Sequence, residues 1–418
     1  MFDVTDNPFV YGEVVPAAAF VDRVVELDRL ARDLNAGQKV FLISPRRYGK
    51  SSLIRHALAS VQRRGTLTVD VTVSSFSSYV AFLEGYARAL LAAEPGDGAA
   101  AKRDRGAGIP DSSDDTRWDR ARSWLREAIR SARAEVRYEP ARAALSSSRT
   151  ARPAKAGGAL TVSFPSVRSE REVSRLAQDV FELPAKLAAE RGRTVVVALD
   201  EFQAIAGFNG GSVEHALRAA VQHQRDVGYV FAGSEPSLME RMLGPKRPFY
   251  KAGPVMRLEK IPAEEFAAFI DARFARSGVK PEDGLGAAIV DLAGNLPYDV
   301  QRLAHETWDE VRARGRRRAS LDDLHAALKR LLLEQQTMFE AVWQRLTLGQ
   351  RAVLRAVVVE EGQNMMAADT RTRHRLGGPS TVQAALAALA REDVIARDDD
   401  RYVVVDSLLR EWVARQTF

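Results

Sequence analysis

The sequence of 418 residues contains no cysteine. This absence excludes a disulfide framework, a thiol nucleophile and a cysteine-based zinc site. The six histidines show neither H-x-x-H nor H-E-x-x-H spacing, so they suggest no metal cluster. No run approaches the roughly 18 consecutive apolar residues of a membrane span, and the acidic N-terminus has no apolar signal-like stretch. We therefore expect a cytoplasmic protein with no membrane partner.

The formal net charge of +6 is unevenly distributed along the chain. Residues 101–155 contain 14 lysines and arginines against 8 aspartates and glutamates. A second basic run comprises Arg312, Arg314, Arg316, Arg317 and Arg318. Such clusters can bind the phosphate backbone of a nucleic acid, but a solvated basic face is an equally good interpretation in an Ala/Arg-rich chain.

A phosphate-binding loop follows a short apolar strand at residues 39–43. The loop reads Ser44-Pro45-Arg46-Arg47-Tyr48-Gly49-Lys50-Ser51-Ser52. It matches the pattern G-x-x-x-x-G-K-[ST] except that Ser44, also a small residue, replaces the first glycine. In such a loop the backbone amides surround the β-phosphate, the lysine reaches the β- and γ-oxygens, and the hydroxyl binds Mg²⁺. Lys50 and Ser51 are predicted to take the last two roles.

A second apolar run, at residues 194–199, ends in Asp200 and Glu201. Such a run bounded by charge is typical of a strand buried on both faces in a parallel sheet. Because phosphoryl transfer requires an acidic motif close to the loop, we expect this strand to lie beside the loop strand. Asp200 is predicted to share Mg²⁺ with Ser51, and Glu201 to polarise the attacking water. Ser234, at the tip of the next strand, either orients that water or senses the γ-phosphate, or it is an ordinary turn residue.

Strand and helix patterns alternate through the first 260 residues and give way to helices afterwards. We predict a doubly wound α/β P-loop NTPase core with a parallel sheet at residues 39–260, preceded by a nucleotide-proximal segment at 1–38. A basic, partly mobile insertion is expected at about 94–169. An α-helical lid subdomain follows at 261–340. Three helices and a hairpin at 346–418 predict a C-terminal winged-helix domain.

Three local predictions accompany this scheme. The spacing of apolar residues predicts an amphipathic helix at 118–137 within the insertion and one continuous helix at 321–339. The third helix of the winged-helix domain is expected to begin at Ser380 as N-cap, with Gln383 in the capping-box position.

Taken together, the motifs resemble those of the archaeal-type ATPases, a branch of the STAND and AAA+ superfamilies related to origin-recognition ATPases. The resemblance covers nearly the whole chain and is carried by Asn7-Pro8-Phe9 and by residues 20–23, 44–52, 199–203, 233–239, 294–298 and 402–412. It implies ATP as the nucleotide, and the lack of an N-K-x-D guanine signature agrees with this. It also implies that Arg23 lies near the nucleotide, and that a lid with Pro297 near the adenine closes on ATP and moves the winged helix.

The chain departs from the family pattern at one position that matters for catalysis. Where the family has an arginine that completes an active site, in the family that of a neighbouring subunit, this chain has Lys251. A lysine is a point charge without the bidentate fork of arginine, so it stabilises a transition state less well. Arg247 is an alternative candidate for the same role. The departure predicts slow turnover.

These features predict an ATP-binding switch with slow Mg-dependent hydrolysis, whose nucleotide state controls docking to a protein partner or a second copy. One alternative is a DNA-binding ATPase in replication, transposition or defence, and another is an ATP-dependent scaffold. Residues 381–391 offer few groups for base edges, and the acidic tip at 398–400 repels phosphate. Arg371, Arg373 and Arg375 remain as candidates for contacts with a DNA backbone.

Overall fold

The computed structural model of the chain describes residues 7–12, 20, 23–93, 113–139, 159–208, 211–398 and 400–416. These residues form two compact units. Residues 23–259 form one, which we call the sheet unit, and the described residues of 1–22 join residues 260–416 in the other, the helical unit. In the part of the chain that the structure describes, the helices lack the length and apolarity that a membrane crossing requires.

The described strands and helices alternate in the sheet unit, whereas helices dominate the helical unit. The strands are β1 (Lys39–Ile43), β2 (Leu67–Thr72), β3 (Glu135–Glu139), β4 (Ala159–Ser163), β5 (Val195–Asp200), β6 (Val227–Gly233), β7 (Val255–Arg257), β8 (Lys280–Pro281), β9 (Arg318–Ala319), β10 (Ile395–Asp398) and β11 (Arg401–Val404). The helices are α1 (Val24–Asn35), α2 (Lys50–Arg63), α3 (Tyr79–Ala93), α4 (Ser113–Ala128), α5 (Glu170–Arg191), α6 (Ser212–Val221), α7 (Pro236–Met242), α8 (Ala263–Arg276), α9 (Leu285–Leu292), α10 (Pro297–Ala313), α11 (Leu321–Glu334), α12 (Gln336–Arg345), α13 (Leu348–Val359), α14 (Ala368–Arg373), α15 (Pro379–Arg391) and α16 (Ser407–Arg415).

A parallel five-stranded sheet with the order β2-β5-β6-β1-β7 organises the sheet unit. Every residue of β5 and β6 is buried, as expected for central strands that are covered on both faces. The predicted parallel α/β core is therefore present. The expectation that β5 lies beside β1 is wrong, because β6 pairs with both strands and separates them.

An aromatic cluster fills the core beneath the carboxyl ends of β1, β5 and β6. Phe231 of β6 stacks on Phe41 of β1 with ring centroids 4.9 Å apart. Phe202, in the short 3-10 helix Phe202–Gly207 that follows β5, lies 4.7 Å from Phe231 and 5.3 Å from Phe249. Aromatic pairs at these separations contribute about 0.5–1.5 kcal/mol each beyond burial. The cluster thus fixes the turn after β5 against β6 and against Phe249.

The described part of the predicted insertion packs on the sheet unit. The helix expected at 118–137 is instead α4, which ends at Ala128, followed by an antiparallel pair of β3 and β4. The helix ends because the amides of Arg130 and Ser131 donate to Asp179 Oδ2 of α5, at 2.9 and 2.8 Å. Residues 94–112 and 140–158 lie outside the described residues, so the expected mobility of the insertion stays a prediction.

The first described residues of the chain pack on the helical unit. Phe9 is buried against Phe274 of α8 with ring centroids 4.7 Å apart, and Arg273 Nε donates to the carbonyl of Pro8 at 3.1 Å. Asn7 Nδ2 donates to Asp309 Oδ1 of α10 at 2.8 Å. The segment predicted at 1–38 is therefore divided, since α1 belongs to the sheet unit.

The C-terminal part of the helical unit has the arrangement expected of a winged helix. Helices α13, α14 and α15 precede the antiparallel hairpin of β10 and β11, and α16 follows it. Helix α15 begins at Pro379 with Gly378 as N-cap, so the Ser380 cap is wrong; a proline at the first helical position already has the required φ. The helix expected at 321–339 is two helices, α11 and α12, interrupted at Gln335.

Much of the basic run at 312–318 serves the fold. The carboxylate of Asp323 is fully buried at the start of α11 and accepts hydrogen bonds from Arg314 Nη1 at 3.2 Å and from Arg316 Nη2. The guanidinium of Arg312 lies over the ring of Trp308 at 5.4 Å. These contacts favour a structural role for three arginines of the run.

Two glycines with positive φ make a matched pair for a stability test. A Cβ on Gly362, φ +71°, would overlap the backbone of Tyr402 in β11, whereas a Cβ on Gly315, φ +67°, would meet open space. We expect Gly315→Ala to lower the free energy of unfolding by about 1 kcal/mol and Gly362→Ala by about 3 kcal/mol, because only the second adds overpacking to backbone strain. Urea unfolding measures both, and equal losses would contradict the reasoning.

Candidate active site

The phosphate-binding loop joins β1 to α2 at the carboxyl edge of the parallel sheet. Ser44 is fully buried, and its amide donates to the carbonyl of Gly233 at the end of β6 at 3.1 Å. Gly49 is the N-cap of α2 in the left-handed region, φ +84°, with open space where a Cβ would lie. Arg47 also has a positive φ, +71°. The loop therefore delivers Lys50 and Ser51 on the first turn of a helix, where unpaired amides and the helix dipole favour an anion.

The ammonium of Lys50 joins the loop to the two predicted carboxylates. Lys50 Nζ donates to Asp200 Oδ1 and to Glu201 Oε1, the latter at 2.9 Å. Ser51 Oγ donates to Asp200 Oδ2 at 2.8 Å. These four side chains meet although β6 lies between β1 and β5. They can do so because the loop after β1 and the carboxyl end of β5 lie at the same edge of the parallel sheet. The structure thus brings together the residues that sequence reasoning selected for phosphate, metal and water.

Glu201 is held from two sides. Its Oε1 contacts Lys50, and its Oε2 accepts hydrogen bonds from Ser234 Oγ and, at 2.6 Å, from Gln203 Nε2. Burial of the Glu201 carboxyl favours its neutral form, but the hydrogen bonds from Ser234 and Lys50 outweigh burial and hold the pKa of Glu201 below its ordinary value. The carboxylate is therefore ionised and oriented at neutral pH.

Gln203 ends the segment 199–203 that carries the family resemblance, but sequence reasoning gave it no role in the site. It is 7% exposed and lies in the turn that follows Glu201. The available signal was a single amide side chain within the otherwise apolar stretch 202–207.

The donor set fits a magnesium ion. A hydroxyl and a carboxylate oxygen from Ser51 and Asp200 lie 2.8 Å apart, and hard oxygen ligands are those that Mg²⁺ prefers. These two residues would hold the ion, which supplies positive charge against phosphate oxygens when it is bound.

The remaining loop residues lie around this cluster. Tyr48 is buried, Pro45, Arg47 and Ser52 are partly buried, and Arg46 is exposed. Their contact with a phosphate stays a prediction.

The other predicted site residues occupy separate positions. Arg23 is buried at the start of α1, where it pairs with Glu26 at 2.9 Å and donates to the carbonyl of Glu259. Lys251 is exposed, with its ammonium 5.3 Å from the ring centroid of Tyr250. Pro297 is the first residue of α10 and belongs to the helical unit. Among the contacts given above for Arg23 and Lys251, none is with the cluster around Lys50, and the roles of all three residues stay predictions.

Arg247, the alternative to Lys251, is tied to a buried carboxylate. Its Nη2 lies 3.2 Å from Glu214 Oε1, and the Glu214 side chain is 2% exposed. Burial raises the pKa of Glu214 in spite of this cation.

Comparison with solved structures places this geometry in a known fold. A Walker-type ATPase of Pyrococcus abyssi is similar over 97% of this chain and 99% of that chain, at 15% identity and a TM-score of 0.58. The chain has the fold of a Walker-type ATPase. Within this ATPase fold, residues 337–415 match a family described as a probable winged helix domain. The predicted P-loop core with a C-terminal winged helix is therefore confirmed.

A second comparison is more distant. The ORC1 protein of Aeropyrum pernix, solved in complex with DNA, is similar over 96% of this chain and 94% of that chain, at 14% identity and a TM-score of 0.49. No curated protein matches the sequence of this chain at a significant level.

Removing the shared cation tests the geometry of the cluster without any nucleotide. We expect Lys50→Met to lower the free energy of unfolding by about 3 kcal/mol, because it leaves Asp200 and Glu201 as adjacent, partly buried and unpaired anions. Arg257→Met is the control, since this exposed arginine pairs with the exposed Glu240 at 2.7 Å, a surface pair worth less than about 1 kcal/mol. Similar losses in the two variants, measured by urea unfolding, would contradict a cluster that depends on Lys50.

Proposed function

We propose that the protein binds Mg-ATP and hydrolyses it slowly, and that its nucleotide state acts as a switch. The observation that carries the proposal is the contact of one ammonium, Lys50 Nζ, with both Asp200 and Glu201 at the N-terminus of α2. Phosphoryl transfer requires positioning and charge neutralisation rather than covalent chemistry, and this cluster offers both.

Each residue has a distinct task in this proposal. The loop amides and Lys50 bind the β- and γ-phosphates, and Lys50 leaves the carboxylates for phosphate oxygens when ATP enters. Ser51 and Asp200 hold Mg²⁺. Glu201, ionised and hydrogen-bonded to Ser234, then accepts a hydrogen bond from the attacking water and polarises it.

Two features support a slow reaction. Lys251 offers a point charge where an arginine would offer a bidentate fork, which lowers its value for a transition state. The alternative, Arg247, is engaged by the buried Glu214 at 3.2 Å. A slow ATPase suits a protein that must remain in its ATP state while a partner binds.

The division of the chain supports the switch. The phosphate loop and both carboxylates belong to the sheet unit, whereas the winged helix belongs to the helical unit. ATP in the first unit can control a partner of the second only if nucleotide changes the arrangement of the two. We take that partner to be a protein or a second copy of the chain.

DNA binding receives less support from the helical unit. Three of the eight exposed residues of α15 are alanines, Ala384, Ala387 and Ala390. The polar groups it can offer to base edges are few, namely Ser380, Thr381, Gln383 and Arg391. Arg373, a candidate for backbone contacts, is engaged by Glu360 at 2.6 Å. A scaffold that needs ATP only for folding is the other alternative, and loss of hydrolysis separates it from a switch.

Hydrolysis is tested with one conservative variant. We expect Glu201→Gln to bind Mg-ATP with its affinity within about twofold and to hydrolyse it about a hundredfold more slowly, because the amide cannot accept a proton from water. Phosphate release and a fluorescent ATP analogue measure the two quantities. Glu240→Gln is the matched control, since this exposed glutamate of the sheet unit pairs with Arg257. Failure of the wild-type protein to bind Mg-ATP, or binding that survives Lys50→Ala unchanged, would overturn the proposal.

The switch is tested with the same slow variant. We expect Glu201→Gln saturated with Mg-ATP to differ from its Mg-ADP form in radius of gyration or in oligomeric state, because the trapped ATP state is the partner-binding one. Small-angle scattering and size-exclusion chromatography measure these properties, and Lys50→Ala with the same nucleotides is the control that should not change. Identical profiles in both nucleotides would exclude a switch and leave a scaffold.

A further inference from the structure

The turn after β5 places a second side chain on the glutamate that is proposed to polarise water. Gln203 lies two residues beyond Glu201, and its Nε2 donates to Glu201 Oε2 at 2.6 Å. The same amide nitrogen lies 3.5 Å from Ser234 Oγ and 3.5 Å from Glu235 Oε1. Gln203 is thus the hub of a small polar network around one carboxylate oxygen.

The two oxygens of Glu201 have different partners. Oε1 contacts Lys50, whereas Oε2 contacts Gln203 and Ser234. If Lys50 moves to phosphate oxygens when ATP binds, Oε1 becomes available to water and the hold on the carboxylate passes to Oε2. The described partners of Oε2 are then the groups that fix the direction of the carboxylate.

Gln203 is itself held in place. Its neighbour Phe202 belongs to the aromatic cluster under the sheet edge, and the Gln203 side chain is 7% exposed. Room for it depends on Gly233, because a Cβ there would lie 2.8 Å from Gln203 Oε1 and would overlap Met239. Because packing already confines the Gln203 side chain, it loses little conformational entropy when it orients Glu201. A residue that positions another group should be held by packing in this way.

A glutamine suits this task better than a lysine or an arginine. Its amide donates a hydrogen bond to the carboxylate without adding a positive charge that would weaken the carboxylate as a base. The backbone of Glu201 is in the left-handed region, φ +52°. This conformation fixes the direction of the Cα–Cβ bond, but it does not fix the orientation of the carboxylate. The side-chain network supplies that second constraint.

We propose that Gln203 is a positioning residue that orients the Glu201 carboxylate toward the attacking water. The proposal rests on the hydrolysis proposed above, and it adds a residue to which neither the sequence motifs nor the fold assigns a role. A misplacement of about 1 Å at a reacting group costs about a hundredfold in rate, so the effect should fall on turnover and not on binding.

The test compares two buried glutamines of the sheet unit. Gln203→Met removes the donor and keeps the length of the side chain, and Gln224→Met is the matched control. Gln224 is 5% exposed, and its side chain makes two hydrogen bonds away from the carboxylates, to the carbonyl of Phe181 at 2.7 Å and from Tyr229 at 2.6 Å. We expect Gln203→Met to lower kcat by tenfold to a hundredfold with the Kd for a fluorescent ATP analogue within twofold, and Gln224→Met to leave both unchanged.

A second variant changes the chemistry of the contact, and the urea midpoint of each variant shows whether it is folded. Gln203→Glu keeps the shape of the side chain but replaces the donor by an acceptor that faces Glu201, and it should lose turnover at least as strongly. Turnover unchanged in both variants, or lost in step with ATP affinity, would overturn the proposal.

A measurement without hydrolysis separates this inference from the proposed function. In nucleotide-free protein, the losses in urea midpoint of Gln203→Met and Glu201→Ala should not add in the double variant, because each removes the same hydrogen bond. Additive midpoints would overturn the contact even in an active enzyme. An inactive wild-type protein with non-additive midpoints would remove the hydrolysis proposal, and with it the role of Gln203 in turnover, while retaining the contact.

Discussion

One ammonium between two carboxylates is the interaction on which the rest of the site depends. Lys50 lies on the first turn of α2, Asp200 ends β5 and Glu201 follows it, so their contact ties the start of α2 to a strand that does not pair with β1. One ammonium and two carboxylates give this edge of the sheet a net negative charge. In the proposed function, a cation would balance that charge, and a phosphate would replace the carboxylates as the partner of Lys50. In the proposed function, these electrostatics would favour the joint entry of Mg²⁺ and triphosphate.

The parts of the fold that could be predicted from sequence are those with a local cause. The apolar runs of β1, β5 and β6 predicted a buried parallel sheet, and the pattern around Lys50 predicted the loop. The order of the strands could not be predicted, because no local sequence pattern encodes it. The path of the chain after α6 places β6 between β5 and β1. The contact of Lys50 with Asp200 and Glu201 still forms because the carboxyl ends of parallel strands share one edge, although the expected adjacency of β1 and β5 was wrong.

The other errors also come from tertiary contacts. Periodicity alone continues α4 beyond Ala128, and only the carboxylate of Asp179 on another helix explains why it stops. The arginines at 314 and 316 look like a nucleic-acid patch until Asp323 is placed beneath them. Gln203 was overlooked for a related reason, since a lone glutamine acquires meaning only from the glutamate beside which the turn places it.

The N-terminal residues have a consequence for how the protein is made. The sheet unit is one continuous stretch, 23–259, and all the partners that its strands need are present once that stretch has left the ribosome. Phe9 and Pro8, which emerge earlier, pack against Phe274 and Arg273, about 265 positions further along. During synthesis the sheet unit is therefore complete first, and the Phe9 ring stays exposed to water until Phe274 has been translated.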